Sequence, residues 1–151
     1  MLVNNRYKEF NNIKIHSQYS ICEGAIKIDE LADYCKANKV KAIGLTDSYN
    51  LCGALEFAEK ISKVGTQPII GTQINILSDN QIGKITLYAI SEKGYKKIIE
   101  LSSKSYLDNN EDETTDPYLN INDLFKLDNS GISIFSGTVF GLFGKLFEKG
   151  K

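Results

Sequence analysis

Apolar and polar positions along the 151-residue chain alternate between two periods, and the switches between them mark out the elements. Residues 13–16 form a short β-branched run that stops abruptly at Ser17-Gln18, as a buried strand does when it delivers side chains to a site. A helix is predicted over 29–38, with Asp29 as N-cap, Asn38 as stop and Ile28, Leu31, Ala32 and Cys35 as its apolar stripe. A second buried strand over 42–46 ends in Asp47-Ser48. The second helix is predicted over 51–64, with the stripe Leu51, Ala54, Leu55, Ala58 and Ile61 and a stop at Gly65. A third strand over 68–77 runs through a turn at 79–81 into a fourth over 85–90. Ser91 caps a helix reaching about residue 106, whose apolar residues are Tyr95, Ile98, Ile99 and Leu101. A short helix near 121–126 and a fifth strand over 131–135 complete the pattern.

Repeated strand-then-helix units imply parallel strands joined by helical crossovers, hence an α/β barrel or a doubly wound sheet. In both, functional groups gather at the carboxyl ends of the strands. His16, Asp47, Gln73 and residues 136–138 fall at or near such ends. Five strands are too few to close a barrel, and residues 141–149 open a helix with nothing after it to pack on. The chain therefore reads as a segment of a longer protein.

Composition narrows the function only slightly. A hydrophobic fraction of 42%, a charged fraction of 25% and a net charge of -1 are those of an ordinary globular domain. They give no global pull toward nucleic acid or an anionic membrane. No apolar run approaches the ~20 residues that span a bilayer, and the polar start has no signal-peptide core. Three cysteines, Cys22, Cys35 and Cys52, contain no CxxC pair, which favours reduced thiols and a cytoplasmic location. Cys35 sits on a helical stripe and is expected in the core. The run DNNEDETTD at 108–116 lacks apolar residues and reads as a solvated acidic surface loop, 108–117.

The single histidine changes the picture more. One imidazole advertises a metal site but is too few to build most of them. The sequence around it, Phe10-x-x-Ile13-Lys14-Ile15-His16-Ser17-x-Tyr19-Ser20-x-x-Glu23-Gly24-Ala25, resembles the PHP (polymerase and histidinol phosphatase) domain at the amino terminus of bacterial DNA polymerase III alpha subunits. The resemblance continues through residues 42–57, from Ala42-Ile43-Gly44-Leu45-Thr46-Asp47 onward. It resumes at residues 63–71 and includes Gly94-Tyr95 through Leu101-Ser102 and Ser136-Gly137. It implies the first part of a distorted (β/α)7 TIM-like barrel, truncated at the C-terminus, with residues 1–151 a partial PHP domain.

In metal-binding members, as the resemblance implies, strand ends supply histidines, carboxylates and a cysteine that hold up to three divalent ions. Such clusters hydrolyse phosphoesters, because the cations polarise the phosphate and acidify a bridging water. Placed on this sequence, the positions are degenerate. The first histidine of His-x-His is Lys14, leaving His16. Thr-Asp-His becomes Thr46-Asp47-Ser48. The glutamate two residues after Ile70-Gly71 is Gln73, the histidine of the fourth strand is Lys84, and the cysteine after Ser136-Gly137 is Thr138. Glu23 keeps an acidic ligand position. Only His16 and Glu23 retain ligating chemistry, and an ammonium beside them repels a divalent ion. No metal and no catalytic residue are expected here. Lys14 and Lys84 are instead expected to neutralise Glu23 and Asp47 in a buried ion-pair cluster, with His16 a hydrogen-bonded structural residue. Ser17 and Ser20 lack the partners of a hydrolytic triad.

The resemblance implies that the full-length protein is a DNA-directed DNA polymerase using Mg2+ held far downstream of Lys151. This segment would be a scaffold for the polymerase core and for a separate proofreading exonuclease subunit. DNA and other replicase subunits would be partners of the whole protein, and no membrane is involved. Two alternatives remain: an active metal-dependent phosphoesterase or 3′–5′ exonuclease, and a stand-alone interaction module.

Overall fold

A computed structural model describes residues 10–108, 116–126, 130–139 and 141–150. The chain order is α1 (Ile28–Asn38), β1 (Ala42–Ser48), α2 (Ala54–Lys63), β2 (Gln67–Ser78), β3 (Gln81–Ala89), α3 (Glu92–Leu107), β4 (Tyr118–Asn120), α4 (Ile121–Lys126), β5 (Ile132–Phe135) and α5 (Leu142–Glu148). The sheet runs β1-β2-β3-β5, with β4 pairing β2 off this path. The α/β class and the TIM-type barrel architecture expected from sequence hold.

The expectation of uniformly parallel strands does not. β1 and β2 are parallel, joined by α2, and β4 is parallel to β2. β3, however, is antiparallel to both β2 and β5. The cause is the turn at Asp79-Asn80. Both residues take left-handed backbone, φ 49° and 58°, the conformation of a two-residue hairpin turn. A connection that short can only return the chain antiparallel, since a parallel crossover needs a dozen residues or more.

Residues 13–16 also differ from expectation. They form an extended segment beside β1 rather than a ladder strand. Gly44 N–H donates to the Asn12 carbonyl at 2.9 Å and Thr46 N–H to that of Ile15 at 2.8 Å. The approach needs a glycine at 44, because a Cβ there would lie 2.0 Å from the Ile13 carbonyl oxygen.

Helix boundaries shift by a few residues, as helix ends commonly do. Lys27, not Asp29, holds the N-cap position of α1, with no side-chain cap bond. Ser91 caps α3 as expected, accepting from Gly94 N–H at 3.1 Å. α2 starts at Ala54 and buries Ala54, Phe57 and Ile61. Leu55, assigned to its stripe from sequence, is 72% exposed. The inward face is centred on Ala54, Phe57 and Ile61 instead. Ile99 of α3 is likewise mostly outside the core, which α3 reaches through Ile98 and Leu101.

Two apolar clusters build the core. Ile28, Leu31, Cys35, Ile43, Leu45 and Phe57 join α1, α2 and β1, so Cys35 is a core residue. Ile74, Ile76, Ile85 and Leu87 of the β2–β3 hairpin pack with Ile98 and Leu101 of α3. Strand alternation then sends Gln73 and Asn75 of β2 to the opposite face. Lys84 and Thr86 share that face, paired with Asn75 and Gln73 in the ladder. One face of the sheet is thus apolar and helix-covered, and the other is polar. Of the acidic loop, residues 109–115 lie outside the described residues.

Candidate functional site

The polar face carries the degenerate positions, and the chain folds two loops onto them. The turn after residue 16 is closed by Ser20 N–H to the Ser17 carbonyl at 2.9 Å and Gly24 N–H to that of Ser20 at 2.9 Å. This brings Ser17, Ser20 and Glu23 against the end of β1.

Asp47 is 1% exposed and accepts three hydrogen bonds. Ser17 donates its N–H at 2.6 Å and its hydroxyl at 2.7 Å. The Ser20 hydroxyl donates at 2.7 Å. A buried carboxylate needs its charge satisfied, and here hydroxyls and a backbone N–H do it. The sequence expectation of a lysine beside Asp47 is therefore corrected. Ser17 and Ser20 are its donors, a role that hydroxyls six and three residues before Glu23 did not advertise.

Glu23 is the carboxylate that meets a lysine. One oxygen takes the Lys84 ammonium in a close ion pair. The other accepts from the Ser48 hydroxyl at 2.5 Å and lies 3.5 Å from His16 Nδ1. Burial would raise the Glu23 pKa, but the bonds from Lys84 and Ser48 outweigh it and hold the carboxyl below its usual range. Burial would lower Lys84, and Glu23 with the Tyr49 hydroxyl outweighs that, so its ammonium is held above the ordinary lysine value. Lys14, by contrast, is exposed and makes no ion pair among the described residues. One of the two expected lysines is in the cluster and the other is not.

His16 is hydrogen-bonded, as expected, with Nδ1 3.2 Å from the Ser20 oxygen. Since that hydroxyl gives its proton to Asp47 and accepts from Ser48 N–H at 3.0 Å, the arrangement suits a proton on Nδ1. Burial chiefly lowers the His16 pKa; Glu23 opposes this and Lys14 reinforces it. Gln73 is buried and donates to the Thr86 hydroxyl at 3.2 Å. Thr138 is exposed on the loop after β5.

Beside the Lys84–Glu23 pair opens a cleft of about 490 Å3. Lys14, Gln73, Lys84 and Thr138 line it, joined by Tyr49 and Lys145. Tyr49 has left-handed backbone, φ 64°. Lys84 lies 5.1 Å from the centre of its ring, and its hydroxyl lies between Asn75 and Asp116, 3.2 Å from each. Asn75 was legible in principle, two residues beyond Gln73 on the same strand face. Lys145 left no such signal.

Among the described residues, no three His, Cys, Asp or Glu side chains are grouped so as to hold a metal ion. Among the same residues, no helix is long and apolar enough to cross a membrane.

The sequence matches the PHP domain family over residues 12–151. It is 33% identical over 150 residues to DNA polymerase III subunit alpha of Buchnera aphidicola from Acyrthosiphon pisum, covering 95% of this chain and 12% of the relative. It is 34% identical over 151 residues to DNA polymerase III subunit alpha of Caulobacter vibrioides, covering 94% and 13%. The chain thus spans about an eighth of the length of these curated relatives. Among solved structures, a protein from Bifidobacterium adolescentis assigned as a metal-dependent phosphoesterase aligns with a TM-score of 0.51 at 15% identity. That alignment covers 63% of this chain and 32% of the other, a likeness of fold.

Proposed function

Because the chain belongs to the PHP domain family, we propose that it is the amino-terminal PHP segment, residues 1–151, of a bacterial replicative DNA polymerase III alpha subunit. Within that cytoplasmic enzyme it serves as a metal-free, hydrolytically inactive scaffold. DNA-templated synthesis and its Mg2+ belong to parts of the protein beyond this segment. Here the domain supports the polymerase core and a proofreading exonuclease subunit. The polymerase assignment draws on similarity to alpha subunits along nearly the whole chain.

The metal-free reading rests on one observation, the Lys84 ammonium on Glu23. A divalent ion needs carboxylate lone pairs that are free to turn toward it. Glu23 gives its oxygens to Lys84 and Ser48, and Asp47 gives its own to Ser17 and Ser20. The donor set does not fit a divalent cation, and no hydrolytic step is derived through one. The cluster instead ties the loop at residues 17–24 to β1 and β3, which is the work of a scaffold.

Metal analysis of the purified protein after equilibration with zinc or manganese tests this reading. Substoichiometric traces support it. One or more ions per chain would overturn it in favour of an active phosphoesterase. The polymerase assignment is tested separately by the reading frame past Lys151. A frame continuing into a polymerase core supports it, and a stop codon directly after Lys151 would leave a stand-alone module.

A further inference from the structure

A net charge of -1 conceals an uneven distribution. Because β3 returns antiparallel, its carboxyl end lies beside the amino ends of β1 and β2. The same end of the sheet receives the last turns of α1 and α2 and the first turn of α3. Gln67 N–H donates to the Lys41 carbonyl at 2.8 Å, and the Thr66 hydroxyl donates to that of Val40 at 2.8 Å. These bonds tie the two loops that follow α1 and α2 into one surface, on the side of the sheet away from the cleft.

Six exposed lysines gather at this end: Lys36, Lys39, Lys41, Lys63, Lys93 and Lys96. The carboxylates near the same helix ends are Asp33, Glu59 and Glu92. Glu92 is taken by Lys96 at 2.7 Å. Six ammoniums against three carboxylates leave an excess of three positive charges even if every carboxylate is matched. Lys36, Lys39 and Lys63 make no ion pair among the described residues. Around the cleft, by contrast, Glu23, Asp47 and Asp116 balance Lys14, Lys84 and Lys145. The amino ends of barrel strands carry no catalytic work, so a charge excess there suits a surface contact.

The patch crosses two strand spacings, roughly 10 Å, before the helices widen it. That is enough to meet several phosphates of a duplex, whose charges recur every ~1.7 Å along the axis. Protein interfaces are depleted in lysine, whereas lysine is a standard donor to the DNA backbone. The loops at this end, residues 39–41, 64–67 and 90–91, contain no aromatic ring on which an unpaired base could stack. They contain no arginine to read base edges either.

We infer that this lysine-rich end rests against the phosphate backbone of double-stranded DNA, without sequence preference and without a metal ion. The inference rests on the reading of the chain as a segment of a DNA polymerase. It adds a second face to that reading, at the opposite end of the sheet from the degenerate cluster. Weak electrostatic contact is all that is proposed, with no bond made or broken.

Fluorescence anisotropy of a short labelled DNA duplex of mixed sequence, titrated with the chain in EDTA at several salt concentrations, is the test. Binding should weaken steeply with salt. A variant carrying Lys36→Gln, Lys39→Asn and Lys63→Gln should flatten the slope of log affinity against log salt by about 0.9 per lysine removed. Asparagine suits position 39, where the backbone is left-handed, φ 51°, and an unchanged melting temperature would confirm that the variant folds. Lys145→Gln, at the cleft, should leave the slope as it is. No binding at low salt, or a slope that follows Lys145 and ignores the three lysines, overturns the inference. So does single-stranded DNA binding at least as tightly as the duplex. Polyglutamate that competes as well as unlabelled duplex would overturn it in favour of an acidic protein partner. The polymerase assignment survives each of these failures, since the reading frame past Lys151 decides it separately.

Discussion

The Lys84 ammonium rests on the Glu23 carboxylate across 61 positions of sequence. It thereby fastens the turn after residue 16 to the third strand of the sheet. Both side chains are about one-third exposed, 32% and 37%, so water screens the attraction. Its value lies in geometry as much as in energy.

Replacing Lys84 by Met should cost about 1 kcal/mol, the upper part of the range for partly exposed pairs. A double-mutant cycle with Glu23→Gln, read by urea denaturation, should give a coupling of similar size. A coupling indistinguishable from zero would show that the pair contributes nothing to the folded state.

Asp47→Ala should be far more damaging. It strands Ser17 N–H and two hydroxyls at a site that is 1% exposed. The expected loss is about 3 kcal/mol, measured by the same denaturation. A loss under 1 kcal/mol would mean that water reaches these donors freely.

The pH dependence follows from three shifts. Glu23 is held below its ordinary value of 4.5, so its contribution is complete above that pH and fades as pH falls through the lower folded value. Lys84 is held above 10.5, so its contribution is complete below that pH and fades as pH rises past it. His16 is lowered from 6.5; the fold prefers it neutral, and stability falls as acid protonates it. The single histidine gives one imidazole resonance to follow. Its midpoint should lie below 6.5, move up in Lys14→Gln and move down in Glu23→Gln. Movement in the opposite directions would refute the placement of these charges.

Adding manganese to EDTA-treated protein should leave its melting temperature unchanged. An ion bound to the folded state alone would stabilise it by about 2.7 kcal/mol at one hundred times its dissociation constant, a shift of several degrees that calorimetry would register.

Gly44→Ala should destabilise by more than about 2 kcal/mol. The added methyl meets Ile13 backbone at 2.0 Å and must push the extended segment off β1. Unchanged thermal melting would mean that residues 12–15 dock less closely than the hydrogen bonds from Gly44 and Thr46 imply.

Element order was largely legible because strand and helix periods alternate cleanly. Cys35 and the Ser91 cap fell where their neighbours put them. Strand direction was not read correctly, although the sequence contained the reason: two residues between β2 and β3 cannot carry a parallel crossover. Phe57 was missed because the small residues Ala54 and Ala58 fit a stripe through Leu55 as well as one through Phe57, and only packing decides between two faces so close together. In the site, the positions that the family resemblance marks put Lys14 and Lys84 against Glu23 and Asp47, and of these only Lys84 and Glu23 pair. The partners of Asp47 were not legible, since hydroxyls from a loop carry no periodic signal, and nothing in a sequence says which carboxylate the nearer lysine will choose.

The left-handed pair Asp79-Asn80 bears on the order in which the chain assembles. It closes the two longest strands of the sheet, Gln67–Ser78 and Gln81–Ala89, through a loop of almost no length. Such a hairpin zips in about 1–10 μs, whereas β1 must await α2 and β5 must await α3 before either can pair. A refolding chain would have this hairpin as its template, with β1 adding to its β2 edge and β5 to its β3 edge.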